Sequence, residues 1–124
     1  MTGRRTIFAA LAALILFALA PTAARADCQV GDCWGAVAFG PGGAWAYAVN
    51  HATRAEASEA AQGRCASCTN VLTFHNSCGA YASGPSGYGW GNASTREDAE
   101  ERAMAECSAR SGSCAIRVWG CTQR

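Results

Sequence analysis

The sequence predicts an α+β fold in which two tandem, degenerate strand-strand-helix-strand repeats form one antiparallel sheet covered by two helices and stapled by disulfides. Three observations carry this expectation: an internal repeat, a change of hydrophobic period in the same order within each copy, and eight cysteines in a chain of 124 residues.

The repeat is visible directly. Trp34-Gly35-Ala36-Val37-Ala38-Phe39-Gly40-Pro41 is echoed by Cys78-Gly79-Ala80-Tyr81-Ala82-Ser83-Gly84-Pro85 at an offset of 44. Thr53-Arg54, Ala57, Ala61 and Cys65 return as Thr95-Arg96, Ala99, Ala103 and Cys107 at an offset of 42. The copies run over about 34–78 and 78–121, with Cys78 closing the first and opening the second.

Each copy begins with a hairpin. Trp45, Tyr47 and Val49 alternate with Ala44, Ala46 and Ala48, and Tyr88 and Trp90 alternate with Gly87, Gly89 and Gly91, the period-two pattern of strands with one large and one bare face. Pro41-Gly42-Gly43 and Pro85-Ser86-Gly87 supply the turns. A helix follows, because Thr53 with Glu56 and Thr95 with Asp98 have the spacing of a capping box. Ala57, Ala61, Cys65 and Ala99, Ala103, Cys107 then recur every fourth residue. This stripe of small side chains is suited to lie over the large aromatic face of a sheet. Asp98 with Arg102 and Glu106 with Arg110 have the spacing of ion pairs on the solvated face. A third strand, around Val71 to Phe74 and Ile116 to Trp119, closes each unit.

The N-terminus sets the compartment. Arg4 and Arg5, the apolar run Ile7 to Ala20 and the small-x-small site Ala24-Arg25-Ala26 read as a signal peptide over 1–26, leaving a single cysteine-rich domain over 27–124. The expected location is secreted or periplasmic. The apolar run is shorter than a bilayer requires, so no membrane span is expected. Cleavage leaves seven arginines against nine acids in a chain without lysine, a net charge of about −2. Nucleic acid, which needs a phosphate-neutralising basic patch, is therefore not an expected partner.

All eight cysteines, Cys28, Cys33, Cys65, Cys68, Cys78, Cys107, Cys114 and Cys121, fall in the exported part and read as a disulfide framework. Repeat symmetry favours Cys28 with Cys33, Cys65 with Cys78, Cys107 with Cys121 and Cys68 with Cys114. The rival, Cys65 with Cys68 and Cys107 with Cys114, closes shorter loops.

The order Trp34-Gly35-Ala36-Val37-Ala38, a helix ending in Cys65, then Asn76-Ser77-Cys78-Gly79-Ala80 resembles the bacterial secreted family known as domain of unknown function 4189, over about residues 34–121. The resemblance implies a short, secreted, cysteine-containing domain. It implies no reaction and supplies no catalytic residues.

The chemistry-bearing side chains have structural readings. Cys65-Ala66-Ser67-Cys68 lacks the second close pair of a zinc ribbon, and it sits at a helix C-terminus, where the dipole disfavours thiolate, so neither metal nor redox cofactor is expected. Glu97, Asp98, Glu100 and Glu101 open a helix, where acids favour the dipole. His51 and His75 are the only histidines, and no Gly-x-Ser-x-Gly elbow accompanies them, so no catalytic residue is assigned.

The expected function is that of a non-enzymatic binding or inhibitory module with a protein or glycan partner. Its contact surface is expected at Tyr88, Trp90 and Gly89, where a bare backbone face beside aromatics admits a partner closely, the matching Trp45 and Tyr47 being more buried. A small secreted hydrolase using His51 or His75, and an envelope stress protein without a discrete ligand, are the alternatives.

Overall fold

The structure, a computed structural model, describes residues 28–123. The expected signal peptide and its cleavage site before Asp27 lie outside the described residues.

Each unit opens with the expected hairpin. Strands β1 (Trp34–Phe39) and β2 (Trp45–His51) are joined by a tight turn at Pro41–Gly43. Gly42 and Gly43 there take φ of 76° and 78°, which a residue with a Cβ adopts only at a cost. Helix α1 (Arg54–Gly63) and strand β3 (Asn70–His75) complete the unit. The second unit repeats the order in β4 (Cys78–Gly84), β5 (Gly87–Ala93), α2 (Arg96–Ser108) and β6 (Ala115–Cys121).

Both helices start where the capping signals lie. The Thr53 hydroxyl accepts from the Glu56 N–H at 3.1 Å and the Thr95 hydroxyl from the Asp98 N–H at 3.2 Å, each satisfying a donor that has no partner within the helix. Further on, Glu106 pairs with Arg110 at 3.2 Å, but Arg102 donates to the Asn92 carbonyl instead of pairing with Asp98.

The strands form two three-stranded antiparallel sheets, in the orders β2-β1-β3 and β5-β4-β6, where one sheet was expected. The reason is that each central strand is already paired on both sides by its own unit. At the junction between units, Asn76 adopts φ of 48° and breaks the extended path, so β4 starts a new sheet and does not join the edge of β3.

The sheets stack face to face, and the helices lie outside them. Between the sheets are Val37, Phe39, Phe74, Tyr81 and Val118, with Val49 and Leu72 at the margin. Under α1 are Ala36, Ala38 and Ala48, and under α2 are Cys78, Ala80, Ala82 and Ala93. The helices therefore cover the small-residue faces, not the large aromatic faces as the sequence suggested. Small residues facing small residues bring helix and sheet backbones close. The large faces bury more apolar area against each other than against a narrow helix.

Four disulfides join Cys28 with Cys33, Cys65 with Cys68, Cys78 with Cys121 and Cys107 with Cys114, and no described cysteine is free. The rival of the favoured pairing is the one observed, with only Cys28–Cys33 common to both. Cys65–Cys68 and Cys107–Cys114 are repeat equivalents that tie each helix C-terminus to the loop entering its third strand. Cys78 and Cys121 are directly opposed across β4 and β6, so Cys78 reaches its own unit's last strand and not the helix of the preceding unit.

Candidate functional site

Phe74 and Gly120 occupy equivalent places, opposite Gly35 and Gly79 respectively in the two sheets. The Phe74 ring lies where a Cβ on Gly35 or on Gly79 would stand, so both glycines serve one ring at the sheet-sheet contact. In the second unit a Cβ at Gly120 would come to 3.0 Å from Val49 and 3.2 Å from Tyr47. With no side chain at Gly120, β2 comes down onto β6.

Beside this contact lies a groove of about 410 Å³, lined by Trp45, Tyr47 and Val49 from β2 and by Arg117, Val118, Trp119 and Gly120 from β6. Trp45, Tyr47 and Trp119 are 42%, 41% and 39% exposed. Arg96 stacks its guanidinium 3.8 Å from the centre of the Trp119 ring, which fixes that ring's outer face. Arg117 donates to the Ser83 hydroxyl at 3.0 Å and to the Ser83 carbonyl at 3.1 Å.

The residues named from sequence form a second aromatic pair on β5. Tyr88 is 43% exposed, nearly the same as Trp45 and Tyr47, which were expected to be clearly more buried. Tyr88 packs at 4.7 Å from the Phe39 ring, and Trp90 lines a shallow depression with Asn92, Arg102, Ala105 and Glu106. Gly89 points the other way and is buried. A Cβ on it would strike the backbone of Ala103 and Cys107, and one on Gly91 the backbone of Ala99 and Ala103. The close approach that these glycines allow is that of α2.

His51, Trp34 and His75 stand in one row across the first sheet, Trp34 being the paired neighbour of both histidines. His75 stacks on Trp34 with ring centres 4.4 Å apart, and its Nε2 lies 2.9 Å from Asp32 Oδ1. Arg54 covers the Trp34 ring at 4.7 Å. In the second unit the corresponding pair is the Cys78–Cys121 disulfide, so the stack closes the first unit where a covalent bond closes the second. Neither imidazole is hydrogen-bonded to a hydroxyl or thiol among the described residues.

Of the acids opening α2, Glu100 pairs with Arg96 at 2.7 Å. No group of three or more His, Cys, Asp or Glu side chains is placed to hold a metal among the described residues, and no helix there is long and apolar enough to cross a membrane. Sequence reasoning missed Arg117 and the grouping of Trp119 with Trp45 and Tyr47. The signal was the looser repeat of the third strand, in which a phenylalanine in one copy stands against a glycine in the other.

A comparison with curated proteins gave no match. Among solved structures, the fold is similar to the NMR structure of Rv1813c from Mycobacterium tuberculosis, with 25% identity, a TM-score of 0.60 and 98% of each chain covered. From the first residue of β1 to the last of β6, residues 34–121 match the family described as Domain of unknown function (DUF4189), and the chain belongs to that family.

Proposed function

We propose that the protein is an exported, non-enzymatic binding or inhibitory module whose contact surface is the aromatic groove between β2 and β6. The observation that carries this reading is the half-exposure of Trp45, Tyr47 and Trp119 around one concavity in a domain with four disulfides. Large rings contribute most of the energy at recognition surfaces, and a rigid frame lowers the entropy lost when they bind. Paired cysteines throughout suit the oxidising periplasm or extracellular medium to which the N-terminal segment points.

The test is differential capture from periplasm and culture supernatant, using the mature protein and the double variant Trp45→Ala, Tyr47→Ala. The reading expects partners retained by the first and lost by the second while both melt alike. Identical captures would discard the groove. A second reading keeps Tyr88 and Trp90 as the contact surface, on the ground that Tyr88 is as exposed as the groove rings. The variant Tyr88→Ala, Trp90→Ala then loses the partner instead.

A further inference from the structure

Resting on that reading of the groove, we propose that its occupant is an extended, carboxylate-bearing peptide that adds as a strand to the free edge of β6. Four strands lie at sheet edges: β2, β3, β5 and β6. An edge strand presents unpaired backbone groups that template further pairing unless something covers them.

Two of the four edges are covered by arginines from α2 and from the turns that follow the two helices. Arg64 donates to the Tyr47 carbonyl on β2 at 2.5 Å, while Arg110 and Arg102 donate to the Tyr88 and Asn92 carbonyls on β5 at 3.2 and 2.9 Å. The β6 edge has no such cover over Ala115–Cys121, where no side chain among the described residues hydrogen-bonds to its backbone; only beyond it does Asn50 Oδ1 on β2 accept from the Gln123 N–H, at 2.7 Å. The Thr122 N–H donates to the Ser77 carbonyl at 2.9 Å, so Thr122 faces inward. Backbone direction alternates along a strand, so Gly120 also faces β4 while the N–H and C=O of Trp119 and Cys121 face outward.

The surroundings of this edge suit an added strand. On one side of the edge stand Tyr47, which reaches Gly120, and Trp45, which lines the same groove. On the other stands Trp119, opposite Ala80 and so on the α2 side of the sheet. A strand laid along β6 therefore presents alternate side chains to two aromatic surfaces, as strand-addition recognition requires. The β3 edge is also without a side-chain cover among the described residues, but it contributes nothing to the lining of the aromatic groove.

Charge selects the class of peptide. No carboxylate lines the groove, and Arg117 there has no acidic partner among the described residues, whose ion pairs involve Asp32, Glu100 and Glu106. An acidic residue on the incoming strand meets an uncompensated guanidinium, whereas a basic one is repelled. A second copy pairing β6 with β6 would instead bring two such guanidiniums to one seam.

The probe is the N-acetylated, C-amidated heptapeptide Val-Thr-Val-Glu-Val-Thr-Val, titrated into the whole mature protein and followed by amide NMR. The expected result is saturable shifts and slowed hydrogen exchange at Trp119 and Cys121. A version with Gln for Glu binds up to about fivefold more weakly, as one partly exposed ion pair allows, and Arg117→Gln makes the two peptides equal. A version N-methylated at alternate residues, unable to pair with the edge, shows no binding. If the methylated peptide binds as tightly as its parent and perturbs only Trp45 and Tyr47, strand addition is overturned while the groove stands. If no peptide binds, strand addition is again overturned, and the capture experiment with the Trp45→Ala, Tyr47→Ala variant decides the groove separately. Shifts at Trp119 and Cys121 that grow with protein concentration alone assign the edge to a second copy and likewise overturn the proposal.

Discussion

Single residues decide how closely the layers approach. Phe74 lies over Gly35 and Gly79, so a methyl at Gly79 has to displace a ring that is 2% exposed and enclosed on both sides. Overpacking of this kind costs about 1–3 kcal/mol, and Gly79→Ala is expected to lower the midpoint of urea unfolding accordingly. Gly63, at the end of α1, has open space around its Cβ position, and Gly63→Ala is expected to be neutral or stabilising by up to about 1 kcal/mol. The contrast was only half legible in the sequence. Gly87, Gly89 and Gly91 announce that something comes close to a bare strand face, but a partner's chain and the fold's own helix require the same absence of Cβ. Tyr81 offers a test of the inter-sheet layer. Burial, the largest influence on it, raises its pKa above the ordinary 10.0 by disfavouring the phenolate. The folded state then holds its proton more tightly than the unfolded state, so this stabilisation is complete below pH 10.0 and declines as pH rises beyond it. Denaturation at a series of alkaline pH values should show that decline in the parent and a smaller one in Tyr81→Phe.

At the scale of elements, the local signals were reliable and the partners of each face were not. Thr53 and Thr95 cap their helices as the spacing indicates, and the period-two runs are strands. Alternation reveals that a strand has a large and a small face, yet it does not say which face a helix will cover. The small stripe on α2 meets Ala80, Ala82 and the glycines of β5, a choice that depends on where the other sheet finds room. The disulfides follow the same division. Repeat symmetry is obeyed by Cys65–Cys68 and Cys107–Cys114, but Cys78 had two units to belong to, and only strand pairing assigns it to Cys121. That bridge spans a sequence separation of 43, against 3 for Cys65–Cys68. On the chain-entropy account, the long loop contributes about 4 kcal/mol and the short one about 2 kcal/mol. The double variant Cys78→Ser, Cys121→Ser should therefore lose roughly twice the stability lost by Cys65→Ser, Cys68→Ser in parallel thermal melts. Equal losses would locate the worth of these bridges in local geometry and not in loop closure.

For the whole molecule, the repeat announces two like units without saying whether they join edge to edge or face to face. A single sheet and a stacked pair have the same element order, the same caps and the same alternation. They differ in whether Val37, Phe39, Phe74, Tyr81 and Val118 meet helices or one another. Stacking makes the units interdependent, because the layer between the sheets draws Val37, Phe39 and Phe74 from one unit and Tyr81 and Val118 from the other. The Phe74 ring, moreover, sits on a glycine of each unit. The second unit by itself, residues 77–123, keeps its helix, its sheet and the disulfides Cys78–Cys121 and Cys107–Cys114. It nevertheless loses the opposing half of that layer and exposes Tyr81 and Val118. A chain of this length lies near the limit below which a single core rarely suffices, and its remaining core under α2 is mostly alanine. The oxidised fragment 77–123 is therefore expected to show helix by far-ultraviolet circular dichroism but no cooperative thermal transition and no near-ultraviolet signal from fixed aromatics. Mixing it with fragment 28–76 should restore both if the inter-sheet layer is what makes the two units one domain. A sharp transition from either fragment alone would show that each unit folds on its own helix-covered face, with the stacking added afterwards.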